Sequence, residues 1–510
     1  DWSSDVCSSD LFFTSLIMDD SQIPEFNSGS NSLLTDFYQL TMAYSFWKAG
    51  MENVEGTYHL FFRSAPFDGN YCICCGLERA ISFIESLRFE QSDLNYIAGL
   101  HGNDGKPLFD EGFIEYLRLF EFSCNLDAIP EGTIVFPFEP MLRIQGPLIQ
   151  CQLLETPLLN IINFQSLIAT KASRICRAAQ GDPVLEFGAR RAQGLDGALT
   201  ASRAAYIGGC SATSNVLAGK KFGIPVKGTI SHSWIMAFES ESEAFETYAD
   251  ILPNNCVLLV DTYSTLEGVK NAIEVGKKLK DKGYELTGIR LDSGDLAYLS
   301  IEARKMLDEA GFPDARILAS NDLDEKIIQS LKIQHAKIDM WGVGTRLITA
   351  YDHPALNGVY KLSAVRKPGG TWQNKIKISN QSTKVTTPGI QQVRRFRNHS
   401  ENSADMIFDV NIGPDNGEFK IIDPFDVTRQ KQIESSTDYT DLLTPVFIEG
   451  QKVYTFPSLD QIKAKVEKEK QSFHSTILRL VNPHHYPVGN EIRLNDVRTE
   501  LMIKARKQQS

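Results

Sequence analysis

No apolar run in the 510-residue chain approaches the roughly 20 residues that a membrane-spanning helix needs, so a helical membrane protein is not expected. Basic residues are not in surplus: 52 Lys and Arg stand against 64 Asp and Glu, a net charge of −12. Nucleic acid and anionic membranes call for a basic surface, so neither is an expected partner. A phosphorylated small molecule stays open, because a local basic pocket can sit in an acidic protein. Cysteine is sparse, nine in all, and scattered apart from Cys72, Cys74 and Cys75. That trio has no further Cys or His at zinc-site spacing, so it reads as buried free thiols and the metal ligands, if any, stay unknown. A reducing, cytoplasmic compartment follows as the expectation. No internal repeat of fixed length is visible.

What is present is a globular balance, 42% hydrophobic and 23% charged, in a chain long enough for two or three domains. Residues 1–17 are Ser/Asp-rich and then briefly apolar, without the basic start of a secretory signal, and read as a leader foreign to the fold. Helical spacing of Leu33, Leu34, Phe37, Leu40, Ala43, Tyr44 and Trp47 predicts a first helix that Gly50 ends. Aromatic-rich strand candidates follow at 57–63 and 71–75, with β segments at 134–138 and 142–150, so 18–150 is expected to form an α+β sandwich. From 151 to 350 the pattern becomes strand, loop, helix, repeated. Strands are expected at 184–187, 226–230, 257–260, 288–291, 316–319 and 338–342. That alternation predicts α/β architecture with a parallel sheet, read as an irregular α/β barrel, with an open doubly wound sheet as the alternative. Residues 351–510 read as an irregular α+β region with hairpins and a charged helix at 458–473, packing on the N-terminal domain.

In such a barrel the chemistry lies where strands finish. Those ends carry Glu186-Phe187-Gly188-Ala189-Arg190-Arg191, Gly228-Thr229-Ile230-Ser231-His232, Asp261-Thr262, Arg290-Leu291-Asp292-Ser293-Gly294-Asp295, Ser320-Asn321-Asp322 and Gly342-Val343-Gly344-Thr345. Gly-x-Gly-Thr alone is more often a turn than a phosphate cradle. Beside Ser320-Asn321 it supplies backbone N–H groups and hydroxyls suited to a phosphate dianion. Arg190, Arg191 and Arg290 serve either as ion pairs or as anion binders, and guanidinium matches carboxylate and phosphate in bidentate geometry. His232 is either a satisfied histidine or a base or nucleophile oriented by a carboxylate such as Asp261. Asp292 and Asp295 are turn residues or site residues on the same reasoning.

Taken together, Thr35-Asp36-Phe37-Tyr38-Gln39-Leu40-Thr41-Met42, the Glu186–Arg191 segment, Gly228–Ser233 and Gly342–Thr345 resemble the nicotinate phosphoribosyltransferases. Order and spacing agree from about residue 33 to 362, and Tyr486-Pro487-Val488-Gly489 resembles the family's tail. The resemblance implies transfer of a phosphoribosyl group from 5-phosphoribosyl diphosphate to nicotinate, driven by ATP through a phosphorylated histidine at His232, with Mg2+ on the diphosphate. It implies nicotinate contacts from Tyr38, Phe187, Thr229 and Arg290, and phosphoribosyl or phosphate contacts from Arg190, Ser320, Asn321, Gly342, Gly344 and Thr345. By the same resemblance Asp261 partners His232, Asp292 serves the ribose or magnesium side, and Tyr38 reaches into the neighbouring subunit of a homodimer. Ser211-Ala212-Thr213-Ser214-Asn215 holds only neutral residues where nicotinamide relatives carry an aspartate, which favours the acid over the amide as substrate. Two other classes compete: an isomerase or aldolase on a phosphate-binding barrel, for which no lysine or glutamate is convincingly placed at a strand end, and a degenerate nucleotide-binding scaffold.

Overall fold

The computed structural model describes residues 30–414, 419–434 and 436–508. The expected leader at 1–17 lies outside them. Helix α1 (Phe37–Lys48) buries Gln39, Leu40 and Ala43, and Gly50 beyond it takes the left-handed φ of +67° that glycine adopts freely. Strand β1 (Glu55–Phe62) follows, buried on both faces after its first residue, and β2 (Asn125–Ala128) and β3 (Leu142–Pro147) alternate buried with half-buried positions. The expected strand at 71–75 shrinks to Cys72–Ile73, paired with Ile134–Val135. The flanking backbone turns aside to meet a helix instead: Thr170 and Ser166 accept from the N–H groups of Ile73 and Cys75.

That helix is α2 (Glu155–Ala178), and its buried Ser166 and Thr170 hydroxyls serve as acceptors for that backbone. Cys72, Cys74 and Cys75 are buried free thiols, and burial pushes Cys72 up to about 12.

Six parallel strands come next: β4 (Val184–Glu186), β5 (Ala212–Thr213), β6 (Val257–Leu259), β7 (Gly288–Leu291), β8 (Arg316–Ala319) and β9 (Met340–Val343). Their order in the sheet is β5-β4-β9-β8-β7-β6. Between them run α3 (Leu195–Ile207), the short α4 (His232–Met236), and α5 (Glu325–Ile333), while α6 (Thr345–Ile348) follows β9. Two strand expectations change. The stretch 226–230 makes only a single parallel bridge, Val226 to Thr213, before Gly228 releases the backbone. The last strand starts at Met340 rather than 338, because Asp339 N–H and carboxylate both bond Ile317 and end the loop there.

The chain then returns to its beginning. Strand β10 (Gly358–Arg366) pairs antiparallel with the whole of β1, whose other edge holds β3. Thr444–Ile448 pairs with β2, so the first sheet has seven strands drawn from both ends of the described chain. A third sheet of six strands is built from residues between 391 and 491. The charged helix appears as Leu459–Gln471, opened by a Ser458/Gln461 capping box. No described helix is long and apolar enough to cross a membrane.

Candidate active site

The sheet order brings the carboxyl ends of β4, β9, β8 and β7 side by side, and their loops enclose a cavity of about 340 Å3. Its lining joins residues far apart in sequence: Phe187 and Arg190 after β4, Ser214 after β5, Thr229, Arg290 and Asp292, Ser320 and Asn321, and Gly342, Gly344 and Thr345. Size alone does not single it out. A larger cavity of about 740 Å3 lies between α2 and α3, lined by Leu159, Phe164, Leu199 and other residues away from the strand ends. We take the smaller one as the site because most of its wall is polar and because the loop backbones converge there.

Each wall has a local cause. Glu186 closes β4 and is wholly buried. Its carboxylate accepts from the Gly188 N–H, from Ser202 Oγ at 2.8 Å and from Thr213 Oγ1 at 2.6 Å, which fixes the turn that presents Phe187. This residue was missed as part of the site. A carboxylate inside an apolar run, just before a glycine, was the available signal, and it does place a glutamate at a strand end, but one whose oxygens are already used. Gly342 must be glycine: a Cβ there would sit 2.8 Å from the Phe187 ring. Asn321 and Asp322 have φ of 102° and 41°, a left-handed pair of non-glycine residues that persists only when the surroundings hold it.

Arg290, 14% exposed, is the centre of the floor. Its Nε donates to Ser320 Oγ at 2.8 Å, Nη1 to Thr229 Oγ1 at 2.9 Å and Nη2 to Asp292 Oδ1 at 2.9 Å. Ser320 Oγ also donates to Asp292. Burial pushes the Asp292 carboxyl up, but Ser320, Arg290 and His232 more than offset it, and the group is held below its usual value. Arg190 and Arg191 are exposed, and both line the same cavity.

His232 opens α4 beside this floor. Its Nδ1 lies 3.1 Å from Thr262 Oγ1 and its Nε2 3.6 Å from Asp292 Oδ2. The expected pairing with Asp261 is therefore corrected. Asp261 turns the other way: Oδ2 accepts from the Asp292 N–H at 2.8 Å and from Ser293 Oγ at 2.6 Å, while Oδ1 is buried with no hydrogen-bond partner. The strand β6 ends at Leu259, and the next residues carry the Thr262 hydroxyl rather than the Asp261 carboxylate to the histidine. Asp295 is a helix cap, accepting from the Ala297 and Tyr298 N–H groups at 3.1 Å each. Tyr38 does not line the pocket of its own chain. It stands 46% exposed on α1, beside exposed Phe37 and Met42, and burial together with Glu155 and Asp36 pushes its phenol up to about 12.

Comparison with known proteins bears on this geometry. Three family profiles match in sequence: the nicotinate phosphoribosyltransferase N-terminal domain over residues 33–163, the family itself over 183–403, and the C-terminal domain over 390–498. The Bacillus subtilis (strain 168) nicotinate phosphoribosyltransferase is 45% identical over 468 residues, covering 91% of this chain and 93% of that one. The Caenorhabditis elegans protein of the same name is 37% identical over 525 residues, covering 91% and 92%. The crystal structure of human nicotinic acid phosphoribosyltransferase superposes with a TM-score of 0.81 at 31% identity, covering 92% of this chain and all of that one.

Proposed function

The chain belongs to the nicotinate phosphoribosyltransferase family, making nicotinate mononucleotide and diphosphate for NAD salvage, and we propose that the strand-end pocket is where it does so. The observation that carries this reading is the Arg290 floor, where one guanidinium gathers Thr229, Ser320 and Asp292 beneath an aromatic wall. Nicotinate lies against Phe187, its carboxylate drawn to Arg290 and the Thr229 hydroxyl. The 5-phosphate sits over the N–H groups and hydroxyls of Ser320, Asn321, Gly342, Gly344 and Thr345, with Arg190 closing from the solvent side. The transition state is cationic at the ribose and anionic at the departing diphosphate, so fixed charges on both sides lower its energy. Asp292 faces the developing positive charge.

His232 takes the γ-phosphoryl group of ATP on a ring nitrogen, releasing ADP, and water later cleaves the P–N bond to release phosphate. The Thr262 hydroxyl and the Asp292 carboxylate orient the ring for that step. Magnesium fits the residues present: Asp261 Oδ1 is a buried oxygen without a partner, and Asp292 is adjacent. Mg2+ binds through one or two carboxylates plus substrate phosphates, and when bound it neutralises charge on the diphosphate. Among the described residues no group of three or more His, Cys, Asp or Glu side chains that could hold a metal ion is present.

Further parts of the proposal concern architecture and setting. The parallel strands form an irregular barrel within a catalytic unit spanning 151–350, and 18–150 and 351–510 form a joint support. The pairing of β10 and Thr444–Ile448 into the first sheet supports that layout. The exposed aromatic face of α1 supports a homodimer in which Tyr38 serves the neighbouring pocket. Eight free cysteines among the described residues support a cytoplasmic location.

The test is mononucleotide formation from nicotinate, phosphoribosyl diphosphate, ATP and magnesium, with labelled ATP to follow phosphoryl transfer to protein. His232→Ala is expected to fold, to take no label and to lose its response to ATP. Full ATP stimulation in that variant would overturn the phosphohistidine.

A further inference from the structure

The two loops assigned to the phosphate leave adjacent strands, β8 and β9, whose recorded pairing ends at Ala319 and Trp341. Beyond that rung no direct β8–β9 pairing sets their spacing, although Ser320 still bonds β7 and Gly342 and Val343 still pair with β4. One loop contains the left-handed pair Asn321 and Asp322; the other begins inside β9 and leaves the sheet at Gly344. Side-chain contacts outside the β8–β9 ladder therefore bear on their relative placement as well.

Within two residues after each loop stands a charged residue, Asp324 or Arg346, and the charges meet. Arg346, one residue past Thr345, places Nη1 3.5 Å from Asp324 Oδ2 and 3.8 Å from Asp352 Oδ1, with its guanidinium 4.6 Å from the Tyr351 ring centroid. Asp324 meanwhile caps α5, its Oδ1 accepting from the Lys326 and Ile327 N–H groups at 2.9 and 2.8 Å. Asp352 Oδ2 takes Lys171 Nζ at 2.9 Å. The same ammonium lies 2.6 Å from Glu325 Oε2, as an ion pair without hydrogen-bond alignment. Arg174 Nε donates to the other Glu325 oxygen at 3.0 Å. The circuit runs from Asp324 through Arg346, Asp352, Lys171 and Glu325 to Arg174, three cations and three carboxylates.

Its anchor is inside the molecule. The Lys171 side chain is 0% exposed on α2, against the Phe67 ring, while Arg346 and Asp352 are about a third exposed. Burial pushes the Glu325 carboxyl up, yet Lys171 and Arg174 hold it below its usual value; burial acts the same way on Asp352, and Lys171 again outweighs it. Hydrophobic residues would often serve stability as well as buried ion pairs do, so a six-charge circuit spanning two loops calls for a geometric reason.

We propose that Lys171, Glu325, Asp352, Arg346 and Asp324 form a positioning circuit that holds loops 320–322 and 342–345 at the separation phosphoribosyl diphosphate requires. This rests on the assignment of those loops to the phosphate. None of the five is a catalytic residue; they act through the loops. Because misplacement of a binding group by about 1 Å is enough to cost a large factor, breaking the circuit weakens one substrate selectively.

Steady-state kinetics of Arg346→Gln and Asp352→Asn test it, with Thr345→Val alongside. Each circuit variant is expected to raise KM for phosphoribosyl diphosphate about tenfold while KM for nicotinate stays within about twofold, with Tm little changed. Arg346→Lys should recover part of the loss. Asp352→Asn is the decisive arm. If Arg346 merely attracted the phosphate, removing a nearby negative charge would lower that KM; a positioning role raises it. Lys171→Met should reproduce the effect where it folds, and the two partly exposed positions, Arg346 and Asp352, carry the test where it does not. Equal changes in both KM values, or none, would overturn the circuit. If Thr345→Val also leaves the phosphoribosyl diphosphate KM unchanged, the loop assignment itself fails, and the circuit with it.

Discussion

Two arginines, Arg290 and Arg395, show how differently one side chain is used in the two halves of this molecule. Arg395, in the third sheet, is 1% exposed and wholly committed: Nε and Nη2 grip Asp405, Nη1 reaches Glu469 at 3.1 Å, and Nη2 also donates to the Ile134 carbonyl at 2.8 Å. Tyr486 completes the cluster by donating to Asp405 at 2.9 Å. Arg290 makes as many kinds of contact, but two of its four partners are neutral hydroxyls, and its surroundings are open cavity. A hydroxyl can rotate and accept a new partner; a paired buried carboxylate cannot. An arginine next to an aspartate is therefore no sign of a site. Replaceable partners facing open space are.

The sharpest break of this comparison is Arg395→Ala, which strands Asp405 in a dry interior and should destabilise the fold by about 3–5 kcal/mol. Chemical denaturation would measure it, and a loss under about 1 kcal/mol would mean the cluster is wetter than its burial implies. Arg290→Ala comes next and should act on catalysis instead. A loss of about a hundredfold in kcat/KM for nicotinate is expected, with a melting temperature close to that of the parent. Were the two arginines to show the same signature, the contrast would collapse.

A smaller effect sharpens the site side. Ser214 lines the pocket, so Ser214→Asp puts a negative charge near the nicotinate carboxylate and should reduce the preference for nicotinate over nicotinamide by about tenfold. Competition assays with both bases would read it, and an unchanged ratio would place the carboxylate elsewhere. The smallest effect is in pH. Asp292 has a folded pKa below its unfolded value of about 3.9, so its contribution is fully present above that value and disappears as pH falls through the folded one. The difference in melting temperature between parent and Asp292→Asn should hold steady above about pH 5 and shrink below about pH 4. A difference that grew on acidification would reverse the assigned direction.

Much of the site was legible as contiguous motifs. Phe187, Arg190, Thr229, Arg290, Ser320, Asn321, Gly342, Gly344 and Thr345 lie where strand periodicity gives way to glycine and polar residues, and the structure gathers them all around one cavity. Five of the six expected strands are present within two residues, because short apolar runs bounded by turn residues are a local signal. The stretch 226–230 misled, since an apolar run cannot reveal how much of it finds a neighbour to bond.

Pairings that span the chain were not legible in this way. That Asp292 and Thr262, not Asp261, face His232 depends on how three neighbouring loops leave the sheet. That β1 hydrogen-bonds β10, some 300 residues later, and that Lys171 is the common partner of Glu325 and Asp352, are facts about which surfaces meet. Local sequence sets backbone propensity and the chemistry offered at each strand end. Which charge answers which is decided only when packing places distant segments within a few ångströms, since ion pairs and hydrogen bonds fall away over that distance.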